Sequence, residues 1–167
     1  THTLEMNTLH ALDLIAQFET AADERTIVTL LRELTARMGF DYFRLGLIFP
    51  STIQRPDVII FNGCPQAWVD TYTASGFFAI DPTVKRGMTQ STPILWADVA
   101  RDDERCDEQG REVMQLASEF GIRDGVTFPW HGANGHVGLL SFITSTPRSS
   151  QQWLSAVPFL SWLSMHI

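Results

Sequence analysis

Four residues in the middle third of the chain combine large rings with hydrogen-bonding ends: Trp68, Tyr72, Asp81 and Trp96. Trp68 and Tyr72 are four apart and share a face of any helix that carries them, and Asp81 follows nine residues later. An indole N–H donates to a carbonyl, a carboxylate accepts from an amide N–H, and a further ring walls such a group off from water. The set therefore suits a small polar head group. A plainer account competes with it, because aromatics at helical spacing usually build cores and an aspartate before proline, as in Asp81-Pro82, is a good helix N-cap.

Nucleophilic and metal chemistry find less support. Cys64, His131 and His136 are the residues from which a nucleophile and base could be drawn, but no spacing brings them together and Cys64 lacks a basic neighbour to lower its pKa. The two cysteines, Cys64 and Cys106, allow at most one bridge and form no C-x-x-C metal motif. The expectation is a protein that is not an enzyme and carries no cofactor or metal.

The elements that must position these residues fit one domain. The chain has 167 residues, 44% of them apolar, enough for a sizeable core. With 12 Lys+Arg against 19 Asp+Glu the net charge of −7 offers no cationic surface for a phosphate backbone. No stretch approaches the roughly 20 apolar residues of a membrane span, and Thr1 to Thr8 lacks the basic-then-apolar layout of a secretory signal. A soluble, cytoplasmic domain without membrane contact is expected.

Leu9, Leu12, Ile15 and Ala16, widened by Leu14 and Phe18, read as one helical stripe. Asp23 then caps a second helix carrying Ile27, Leu30, Leu31, Leu34 and Met38, which Gly39 stops. Period-two alternation over Tyr42–Phe49 predicts a strand with Phe43, Leu45, Leu47 and Phe49 on one face and Tyr42, Arg44, Gly46 and Ile48 on the other. A turn through Ser51 to Pro56 leads to a second strand, Asp57–Phe61, apolar on both faces as in a covered sheet.

A short helix from Pro65 to Gly76, a helix start at Asp81-Pro82-Thr83, and an extended piece from Pro93 to Trp96 follow. A solvated charged loop, Arg101–Glu108, and a helix from Glu108 to Phe120 complete this stretch. Strands Ile122–Trp130 and His136–Thr144 flank an Asn134-Gly135 hairpin turn, and a final helix from Ser149 is apolar around most of its circumference. This order predicts an α/β fold, a three-layer α/β/α sandwich with a mostly antiparallel central sheet and helices on both faces.

Five separated motifs then occur in a telling order: Ala67–Tyr72 (AWVDTY), Ala79–Val84 (AIDPTV), Pro93–Trp96 (PILW), Gly125–Gly135 (GVTFPWHGANG) and Val137–Phe142 (VGLLSF). Together they resemble the signal-binding domain of LuxR-type quorum-sensing transcription factors, in particular the LasR-like branch. The resemblance implies that residues 1–167 form an autoinducer-binding domain for an N-acyl homoserine lactone. It also implies a homodimer, with DNA reached only through a C-terminal helix-turn-helix domain that this sequence lacks.

Carried over residue by residue, Trp68 would donate to the lactone carbonyl and Asp81 would accept from the ligand amide. Asp81 could do so while capping its helix with the other oxygen. Tyr72 would lie along the head group and chain, Trp96 would pack on the lactone ring, and Thr83, Ser141, Thr127 and Gly125 would complete the polar end. The acyl chain, of eight to twelve carbons, would run against Gly46, Ile48, Val58, Ile60, Val84, Ile122, Val137 and Leu139.

Three positions depart from the family pattern. Cys64 stands where a tyrosine usually donates to the amide carbonyl, and a thiol is a weaker, shorter donor. Val69 replaces an arginine that assists a 3-oxo group, and Leu139 replaces a small residue, which shortens or bends the tail channel. Arg44, on the same face as Gly46 and Ile48, is either a rim residue or a head-group contact. Two other functions fit the same elements: a PAS- or GAF-like sensor for another apolar metabolite, and an interaction module built on the apolar last helix.

Overall fold

The alternation along Tyr42–Phe49 sets the architecture. In the computed structural model, which describes residues 8–50, 57–102 and 106–165, this segment is strand β1. It pairs antiparallel with β2 (Asp57–Asn62) on one side and β5 (Val137–Thr144) on the other. Beyond β5 lie β4 (Asp124–His131) and the two-residue β3 (Ile94–Leu95), so the sheet is antiparallel throughout with the order β2-β1-β5-β4-β3.

Phe43, Leu45 and Leu47 of β1 join Phe61, Val126, Phe128, Leu140 and Phe142 on one face of the sheet. Three helices close that face: α1 (Thr8–Thr20), α2 (Glu24–Arg37) and α7 (Ser150–Ser164), through Leu14, Leu31, Leu34, Trp153 and Leu160. The opposite face meets α3 (Gln66–Ala74), α4 (Pro82–Thr89), α5 (Trp96–Arg101) and α6 (Glu108–Glu119). The three-layer α/β/α arrangement follows from this two-sided cover.

Local chemistry fixes the ends of these elements. Asp23 caps α2 by accepting from the Thr26 N–H at 2.8 Å, and Asp107 caps α6 by accepting from Gly110 N–H at 2.7 Å. Asn134 and Gly135, both at positive φ, turn β4 back into β5. Buried Asp124 ties α7 to the sheet by accepting from the Trp153 indole and the Arg148 backbone, each at 2.9 Å.

Several expectations are corrected. The buried side of α1 carries Leu14 and Ile15, whereas Leu12 and Ala16 point outward; Leu9 lies outside the described side chains. Ile59 of the edge strand β2 is exposed, so that strand is not covered on both faces. Trp96 opens a helix, α5, instead of ending an extended piece, because Trp96 and Val99 bury one helical face. Cys106, placed in a solvated loop by its charged neighbours, is buried. β4 begins at Asp124 because Ile122 still belongs to the end of α6, its N–H bonded to Ala117 O. The Ser51–Pro56 turn, and the side chains of Phe159, Trp162 and Leu163 in the last helix, lie outside the described residues.

Candidate functional site

A cavity of about 340 Å³ opens between the α3–α6 layer and the sheet. Of the residues singled out from sequence, Cys64, Trp68, Asp81, Thr83, Trp96 and Ile122 line it. Trp68 comes from the middle of α3, stacked edge-on against Tyr72 with ring centroids 5.7 Å apart and flanked by Phe77 and Phe120. It is 4% exposed, and its indole N–H makes no hydrogen bond among the described residues. Among the described residues the other two buried indoles are committed, Trp96 to Thr127 Oγ1 at 2.9 Å and Trp153 to Asp124.

Asp81 is the N-cap of α4 and the polar centre of the wall. Its Oδ1 accepts from the Thr83 N–H at 2.9 Å and the Thr83 hydroxyl at 2.7 Å. Its Oδ2 accepts from the Tyr72 hydroxyl at 2.8 Å and from Arg44 Nη2 at 3.1 Å. A cap was expected to leave one oxygen free, yet all of the roughly four acceptor positions of the carboxylate are taken. Arg44, on the inward face of β1, also lies over the Tyr72 ring, 4.8 Å from its centroid.

Burial alone would raise the Asp81 pKa, but the Arg44 charge and the hydrogen bonds from Thr83, Tyr72 and Arg44 outweigh it and hold the group below its ordinary value. Burial pushes the Tyr72 phenol upward, and it pushes the Cys64 thiol up to about 11 against the opposing pull of Arg44. The wall thus carries one buried ion pair and two neutral donors at neutral pH.

Tyr72 reaches this wall through Asp81. Thr127 and Ser141 hold each other at 2.7 Å and stand beside Arg44 in one row across the sheet, Arg44 pairing with Ser141 and Ser141 with Thr127. Gly125 lies beneath Trp96: a Cβ there would sit 2.8 Å from Trp96 Cε2. Val69, on α3, does not contribute to the cavity wall.

The positions expected to hold an acyl chain fare differently. Ile48, Val84, Val137 and Leu139 pack on one another with Val58 and Phe78, and a Cβ on Gly87 of α4 would collide with Leu139 Cδ2. These side chains fill their own space and do not line the described cavity. Gly46 is also outside the cavity lining, but it is buried with nothing within 4 Å of where its Cβ would be. Ile60, its partner on β2, is partly buried.

Val113 and Ala117 of α6 are buried in the core cluster around Trp68 and Trp96, and with Met114 they also line the cavity. Arg111, Gln115, Ser118 and Arg123 line it as well and went unremarked. A charged residue on the inward parity of β1 was the one signal that pointed to Arg44. His131 and His136 stay apart from Cys64 in role: His131 Nε2 bonds Gly87 O at 2.7 Å, and His136 packs edge-on against Phe49.

Residues 23–167 match the model of the autoinducer-binding domain, and the chain belongs to that family. It is a family of LuxR-type transcription regulators and not of enzymes. The chain is 43% identical over 159 residues to the transcriptional activator AhyR of Aeromonas hydrophila, covering 93% of this chain and 60% of AhyR. It is equally similar to the activator AsaR of Aeromonas salmonicida. The chain therefore spans about 60% of the length of these relatives.

Among solved structures it is similar to CepR2 of Burkholderia cenocepacia, described as an N-acylhomoserine lactone dependent LuxR family transcription factor. That match has a TM-score of 0.77 and 25% identity over 93% of this chain and 90% of that one. Among the described residues no helix is long and apolar enough to cross a membrane.

Proposed function

We propose that this chain binds an N-acyl homoserine lactone in the cavity beneath α3 and α6, and that binding stabilises its fold and its homodimer. The observation that carries the reading is the pairing, on one cavity wall, of the indole of buried Trp68, for which no described residue supplies an acceptor, and a buried carboxylate. In this reading Trp68 donates to the lactone carbonyl and Asp81 accepts from the ligand amide. Trp96 walls the ring, while Tyr72 and Thr83 hold Asp81 in place. Thr127 and Ser141 orient Trp96 and keep one hydroxyl proton available, and Cys64 closes the wall.

The acyl chain starts toward Gly46, where there is space, and meets the cluster of Ile48, Val84, Val137 and Leu139 with Val58 and Ile60 beyond. That filled cluster favours a chain shorter than the eight to twelve carbons expected from sequence. Each buried methylene adds about 0.8 kcal/mol, so a short tail leaves more of the selection to the head group. A cavity walled by side chains is unstable when empty, and a ligand that fills it stabilises the native state by mass action. In a longer protein carrying a helix-turn-helix domain, the dimer would set two such domains on a two-fold operator in the cytoplasm.

Trp68→Phe tests the reading, since it keeps a ring and removes the N–H. Affinity for N-hexanoyl homoserine lactone, measured by calorimetry, should fall by about 1–3 kcal/mol. An unchanged affinity would remove the head-group assignment and favour a sensor of another apolar metabolite.

A further inference from the structure

Asp81 presents a problem for any ligand that offers it an N–H: its acceptor positions are full, so an incoming donor has to displace one already there. The Thr83 backbone bond is the cap of α4, and the Thr83 and Tyr72 hydroxyl bonds are short, at 2.7 and 2.8 Å. The Arg44 contact is the longest of the four, at 3.1 Å. A guanidinium has five N–H groups in a planar fork, and Asp81 occupies only part of them.

Arg44 lines the cavity with its side chain 14% exposed. The neutral donors around it are largely committed. The Cys64 thiol is turned to Phe43 O at 3.5 Å, and the Thr127–Ser141 pair retains a single proton after receiving Trp96.

We propose that Arg44 is a ligand-binding residue that determines specificity for the amide. With the cavity empty it neutralises Asp81; when an acyl amide enters, it cedes a place on the carboxylate to the amide N–H and donates to the amide carbonyl oxygen. The amide then sits between a cation on its C=O and an anion on its N–H, and the buried charges remain paired through the ligand. This inference rests on the lactone reading above.

The test compares two probes on this chain, N-hexanoyl homoserine lactone and its thioamide, which keeps the N–H but offers sulfur, a poor acceptor. The wild-type chain should bind the thioamide about 10-fold or more weakly, as loss of a charge-assisted hydrogen bond implies. In Arg44→Met the two probes should bind within about 2-fold of each other. An unchanged preference for the amide in Arg44→Met would overturn the proposal, because a residue that only propped Asp81 would weaken both probes alike.

Should Arg44→Met fail to fold, Arg44→Lys with a ¹³C-carbonyl lactone decides the question. The bound carbonyl resonance should differ between wild type and Arg44→Lys, and identical resonances would overturn the role. Failure of the wild-type chain to bind either probe would instead overturn the lactone reading itself, and this inference with it.

Discussion

One sheet carries two faces built to different ends. On the face under α1, α2 and α7, Phe43, Phe142, Leu31, Leu34 and Trp153 are nearly or fully buried and interlock, with Phe40 stacked between Phe142 and Trp153. On the face under α3–α6, the same strands present Arg44, Gly46, Thr127 and Ser141, and a cavity remains. The difference lies in side-chain volume and polarity at alternate positions of β1, β4 and β5. The strand backbone is common to both faces, so a solid half can hold the sheet while the other half stays available to a ligand.

The hollow face is itself divided. Toward Ile143 and Trp96 it is open and polar, centred on the Arg44–Asp81 pair; toward Val137 it is closed by Leu139 against Gly87.

The largest effect should come from removing the charge that organises the open end. Asp81→Ala deletes the cap of α4, releases the Tyr72 hydroxyl, and leaves Arg44 buried without its counter-ion. The chain should lose about 3–5 kcal/mol of stability, read by urea unfolding in the absence of ligand. A loss below about 1 kcal/mol would mean that water replaces the carboxylate and that the open end is no more than a solvated surface.

Asp81 also marks the limit of what could be read from sequence. Its role as a cap was legible because capping is local, needing only Asp-Pro-Thr before a helix. The Asn134-Gly135 turn and the parity of β1 were legible for the same reason. The Arg44 contact was not, since those residues are 37 apart and meet only when α4 docks on the sheet. Parity assigned Ile48 to the correct face but could not tell a lined channel from a filled one, which depends on how closely α4 approaches at Gly87. The short helix α5 was missed because one buried face of Trp96 and Val99 is too little periodicity to outweigh the charged residues after it.

A smaller change should convert the closed end into an open one. Leu139→Ala removes the side chain that fills the space before Gly87 and should cost about 2–5 kcal/mol without ligand. In return, the order of affinities for N-acyl homoserine lactones should shift from short chains in the wild type toward eight or ten carbons in the variant, measured by competition against one labelled probe. If the wild-type chain already binds the long ligands as tightly as the short ones, the packed cluster yields readily and the division between open and closed ends has no energetic basis.

The least effect concerns Cys64, which lines the cavity: its thiol donates to the Phe43 carbonyl of β1 at 3.5 Å, and Arg44 of the open end acts on its charge. Burial raises its pKa to about 11 from an ordinary 9.0, and Arg44 pulls the other way without prevailing. The folded state therefore favours the neutral thiol. Its contribution to stability is present below pH 9 and is lost as the pH rises toward 11, so unfolding curves should not change on this account between pH 7 and 8.5. At pH 8, in a Cys106→Ser background, alkylation of Cys64 should run about 100-fold slower than that of free cysteine, following the smaller thiolate fraction. Labelling as fast as free cysteine would mean that the Arg44 charge dominates at Cys64. The thiol would then be tuned by the ion pair of the open end and not by burial.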